Sequence, residues 1–99
     1  MHVVIAPIRL KPDVTQEMLL AASDDFDRRF VKTQDGIIRR ILVKGTHPAD
    51  YADIVYFADQ EAIERVIEAE RTSEVCAAFF SIMEGDDNYH VYEIIKTYE

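Results

Sequence analysis

The chain passes once through strand, helix, strand, strand, helix, strand within 99 residues, and its strands are apolar on both faces. A single layer of helices covers only one face of a four-stranded sheet. An apolar opposite face then needs a cover from elsewhere, and a second copy of the same chain can supply it. The pattern predicts an α+β domain spanning residues 1–99, with the helices on one side of an antiparallel sheet and a homodimer closing the other.

The elements follow from local signals. His2 to Leu10 (HVVIAPIRL) is β-rich with almost no alternation, as a strand covered on both sides should be. Met18, Ala22, Phe26 and Phe30 recur every four residues with Leu19 alongside, predicting a helix to about Thr33. Its start is either a capping box from Asp13 to Gln16 or an N-cap at Thr15. Asp24 with Arg28, and Asp25 with Arg29, are spaced to pair on its outer side. Gly36 is placed to end it. Ile37–Lys44 and Tyr51–Ala58 read as strands two and three, joined by a loop containing Gly45, Pro48 and Asp50. Asp59 caps a second helix with Ile63, Val66 and Ile67 on its buried edge. Thr72 and Ser73 break that helix and start another segment carrying Cys76, Phe79, Phe80 and Met83. After Gly85 and Asp86-Asp87-Asn88, Tyr89–Tyr98 reads as a long final strand. Pro7 is anomalous in a central strand, and a bulge at that point would explain it.

Charge and composition remove several functions. A net charge of −8 repels a nucleic-acid backbone and an anionic membrane surface alike. No run of about 20 apolar residues is present to span a bilayer. Strand-like sequence from His2 leaves no room for a signal peptide, and the single Cys76 does not fit a disulfide framework, so a cytoplasmic location is expected. None of the three glycines belongs to a phosphate-cradling motif. His2, His47 and His90 have no metal-binding spacing, and the acidic turn at residues 86–88 lacks the alternating ligands of a calcium loop, so no metal is expected.

An opening strand ending in Arg9-Leu10 before a KPD turn, a DG entering strand two, the block YFADQEAIERVIEAERTSEVCAAFFSIM and the closing YHVYEIIK together carry a resemblance. The chain resembles the dimeric α+β barrel superfamily, built on a ferredoxin-like βαββαβ unit, and within it the antibiotic-biosynthesis-monooxygenase-like domains. The resemblance implies a small-molecule cavity between each sheet and its own helices. It also implies oxygenation of an electron-rich aromatic or enolic substrate with no cofactor; the alternative is a non-catalytic ligand-binding or assembly domain. A haem-degrading relative would carry an Asn before Arg9-Leu10, a His after the Ser73-Glu74-Val75 block and a Trp. This chain has Ile8 and Phe80 at those positions and no Trp, and phenyl offers no axial donor to iron.

Within that expectation, His90 and Tyr92 share a strand face, so His90 is a candidate base and Tyr92 a candidate hydrogen-bond donor to a developing oxyanion. Arg9 is a candidate orienting group. Ile8, Tyr56, Phe26, Phe79 and Phe80 are candidate ligand walls. Arg39 and Arg40 must point to opposite faces, so one of them points inward or to a dimer seam, to hold a ligand or to pair with Asp53 or Glu93.

Overall fold

The computed structural model describes residues 1–85 and 88–99. β1 (His2–Leu10) is the central strand, flanked on one side by β3 (Asp50–Phe57) and beyond it β2 (Ile37–Lys44). On its other side are two short strands, β4 (Met83–Glu84) against Arg9 and Leu10 and β5 (His90–Glu93) against His2 to Ile5. All pairings are antiparallel, which gives a ferredoxin-like sheet four strands wide whose last position is shared by β4 and β5.

Three helices lie on one face: α1 (Gln16–Arg29), α2 (Gln60–Glu70) and α3 (Glu74–Phe80). Each begins at a side-chain cap that accepts a backbone N–H otherwise left without a partner. Thr15 takes Met18 N at 3.2 Å, Asp59 takes Ala62 N at 2.8 Å, and Ser73 takes Cys76 N at 3.2 Å. Thr15, rather than the Asp13 capping box, therefore starts α1. The buried stripe of α1 is Leu19, Ser23 and Phe26, while Met18 is about half exposed. Asp25 pairs with both Arg28 and Arg29. The expected Asp24–Arg28 pair does not form, because Arg28 bends back to i−3. Leu19, Ile63 and Cys76 are the largest fully buried side chains among the described residues, one from each helix. Burying the Leu and the Ile stabilises the fold by about 1.5–3 kcal/mol each.

Gly36 sits at the entry to β2, beyond a 3-10 turn (Val31–Thr33) that follows α1. Its φ is 91°, and a Cβ there would lie 2.5 Å from the Ala62 Cβ of α2. Only glycine lets the strand entry and the second helix approach so closely. No bulge occurs at Pro7: the β1–β3 register runs unbroken, and the irregularity lies in β2 between Ile37 and Arg39. Pro7 falls instead where β1 has no partner on its β4/β5 side among the described residues, a place where a missing N–H costs the ladder least.

The registers assign every strand residue to a face. Val4, Ala6, Ile8, Asp53, Val55 and Arg40 look towards the helices. On the far face two rows cross the whole sheet: His90–Ile5–Ile54–Ile41 and Tyr92–Val3–Tyr56–Arg39. Among the described residues no helix or strand covers that face.

Candidate functional site

Small side chains open a space between sheet and helices. Ala6 on β1 and Ala77 on α3 line a cavity of about 520 Å³, with Phe26, Phe79, Ile63 and Val55 among its apolar walls. The rings of Phe26 and Phe79 stack with centroids 4.4 Å apart, which locks α1 against α3. Arg71, Glu84, Gly85 and Tyr89, all exposed, also line the space.

Two charged groups reach into this apolar chamber from adjacent strands. Arg40 of β2 and Asp53 of β3 are diagonal neighbours, and each side chain is 9% exposed. Arg40 Nε donates to both carboxylate oxygens, at 2.9 and 3.0 Å. Arg40 also donates to the Ser23 hydroxyl at 2.9 Å and to the Ser23 carbonyl at 3.3 Å, and Asp27 of α1 lies 3.6 Å from the guanidinium. The guanidinium carbon stands 5.0 Å from the Phe26 ring centroid and 5.5 Å from that of Phe79. The pair therefore ties sheet to helix α1 at the cavity wall. Burial raises the Asp53 carboxyl above the ordinary aspartate range, outweighing the lowering by Arg40, and Asp27 adds to the rise.

Ile8, Phe26, Phe79 and Phe80 all line the cavity. Tyr56 does not: it belongs to the open face, opposite Val3 and Arg39. The placement expected for His90 and Tyr92 is also corrected. They share a face as their spacing requires, with rings 6.5 Å apart, but their partners Ile5 and Val3 put them on the side of the sheet away from the helices. Arg9 is on that same side, beside His47, Pro48 and Asp50. Of the two strand-two arginines, Arg40 points inward and takes Asp53; sequence reasoning weighed that pair but did not place it in the site. The signal was present in the inward-facing row Tyr51, Asp53, Val55, Phe57, where one carboxylate interrupts apolar residues at period two.

Cys76 is buried under α3, and burial raises its thiol pKa, as expected of an inert core cysteine. Among the described residues no group of three His, Cys, Asp or Glu side chains is placed to hold a metal ion. In the acidic turn, Asp86 and Asp87 lie outside the described residues. Among the described residues no helix is long and apolar enough to cross a membrane.

No protein-family model matches the chain, and no curated protein matches it in sequence. Solved structures do match it. A Nitrosomonas europaea protein described as an antibiotic biosynthesis monooxygenase superposes with TM-score 0.74 at 14% identity, over 97% of this chain and 100% of its own. SnoaB, a cofactor-independent oxygenase from Streptomyces nogalater, superposes with TM-score 0.72 at 12% identity, over 97% and 94% of the two chains. The fold is that of the antibiotic-biosynthesis-monooxygenase-like proteins. At these identities the likeness is one of fold. The same monooxygenase-like fold occurs in a conserved Methanosarcina mazei protein, TM-score 0.70 at 16% identity, covering 92% of this chain and 89% of that one.

Proposed function

We propose that the helix-side cavity binds a small aromatic or enolic molecule and that the protein oxygenates it without a metal or flavin. The observation that carries this reading is the cavity itself: about 520 Å³, walled by aromatic and aliphatic side chains, with one buried ion pair as its polar feature on the sheet. The likeness in fold to a cofactor-independent oxygenase supports the choice of reaction. In such a reaction an activated methylene loses a proton to a base, and the resulting carbanion delivers its electrons to dioxygen. One CH2 group and one O2 become one C=O group and one water.

The apolar far face supports a homodimer formed sheet to sheet, as does the segment after β5, where Ile95 is 91% and Tyr98 79% exposed. Because His90, Tyr92 and Arg9 lie across the sheet from the cavity, the chemistry falls to the cavity's own groups.

Oxygen uptake with anthrones and naphthols, after treatment with a chelator, tests the reading. Turnover above the uncatalysed rate, consuming one O2 per substrate and retained in His90→Ala, is expected. Tight binding with no uptake would establish the second reading, a non-catalytic ligand-binding domain. That reading draws on the cavity's lack of histidine among its described lining residues.

A further inference from the structure

We infer that Asp53 is the acceptor for a ligand hydroxyl, so that the cavity selects neutral phenols and enols over their ethers and over carboxylate anions. This rests on the reading of the cavity as a ligand site.

The argument starts from the hydrogen-bond inventory of the buried pair. A carboxylate offers about four lone-pair sites. Among the described residues the two Asp53 oxygens share one N–H, that of Arg40 Nε. Beside Asp53 on β1 is Ala6, whose methyl group leaves the space above the carboxylate to the cavity. Acceptor capacity therefore faces an apolar chamber, where a donor is worth more than in water.

Arg40 offers an anion much less. Three of its five N–H groups are already engaged, Nε by Asp53, one on Nη1 by the Ser23 carbonyl and one on Nη2 by the Ser23 hydroxyl, and the Asp27 carboxylate lies 3.6 Å from Nη1. The charges around it also oppose an anion. Arg40 is flanked by both Asp53 and Asp27, and among the described residues the other charged lining side chains are Glu70, Arg71 and Glu84. An inward arginine would ordinarily advertise a carboxylate or enolate site; here its partners convert it into a support that aims Asp53. The stacked rings of Phe26 and Phe79 form part of the cavity wall, an apolar surface against which the aromatic body carrying the hydroxyl can pack.

Calorimetric titration at neutral pH with 2-naphthol, 2-methoxynaphthalene and 2-naphthoate tests this directly. The wild-type protein should bind the naphthol about tenfold or more tighter than the ether, the scale of a hydrogen bond to a charged acceptor, and the naphthoate weakest of the three. In Asp53→Asn the preference for the naphthol should collapse to about twofold, with the ether still bound. Equal affinity of naphthol and ether in the wild type would overturn the inference while leaving the cavity a ligand site. So would naphthoate as the tightest ligand. Failure of all three to bind would overturn both the inference and the cavity reading. The wild-type comparison decides the matter even where the variant folds poorly.

Discussion

Arg40→Ala is expected to lose about 3–5 kcal/mol of folding stability at neutral pH, the scale for stranding one partner of a buried ion pair. The substitution removes more than a charge. It unties Asp53 on the sheet and Ser23 on α1 at once, and it withdraws the guanidinium packed over Phe26 and Phe79. The pH dependence follows from Asp53. Its folded pKa lies above the unfolded value of 3.8, so the folded chain holds this proton more tightly than the unfolded chain. The penalty for ionising Asp53 is thus fully present above the folded pKa and fades as pH falls towards the unfolded value. Without Arg40 that penalty grows, so the gap between variant and wild type should narrow on acidification. Replacing both partners, Arg40→Met with Asp53→Leu, should recover stability to within about 1 kcal/mol of wild type. Urea unfolding of the three proteins at two pH values measures all of this. A loss below about 1 kcal/mol in Arg40→Ala would show that the pair does not hold sheet to helix.

Ile54→Lys should dissociate the proposed homodimer. Ile54 is central on the far face, with Ile5 and Ile41 directly across on either side. An ammonium placed there is free in a monomer but unpaired and desolvated between two sheets, which should weaken association by at least about a hundredfold. Sedimentation equilibrium is the measurement. A wild-type chain that remains monomeric at micromolar concentration, with the rows through Ile5 and Val3 exposed, would remove the dimer from the account.

Much of this architecture is legible in the sequence because local and long-range signals agree. Asp59 and Ser73 announce helix starts that the structure confirms bond for bond. The doubly apolar β1 is indeed central. The final strand is where local reading overreaches. β-prone residues continue to Tyr98, but β5 ends at Glu93, opposite His2 of β1. Beyond it the pairing continues only through Ile94 N–H to the Met1 carbonyl, at 2.9 Å, among the described residues. The two-residue β4 is too short for any periodicity and exists only because Arg9 and Leu10 accept it. The site shows the same division. Spacing tells that His90 and Tyr92 share a face, but which face depends on the register with Ile5 and Val3, a long-range property. The Arg40–Asp53 pair was legible as an option, since residues 39 and 40 cannot both point outward. Its place at a cavity wall depends on Ala6 and Ala77 being small at positions that no local pattern distinguishes.

A crystal soaked with 6-bromo-2-naphthol tests the central claim, that the helix side of the sheet is the ligand side. The account predicts a bromine anomalous peak inside the chamber walled by Phe26, Phe79 and Ile63, with the hydroxyl within hydrogen-bond distance of Asp53. A peak instead on the far face beside His90 and Tyr92, or no ordered peak at all, would contradict it.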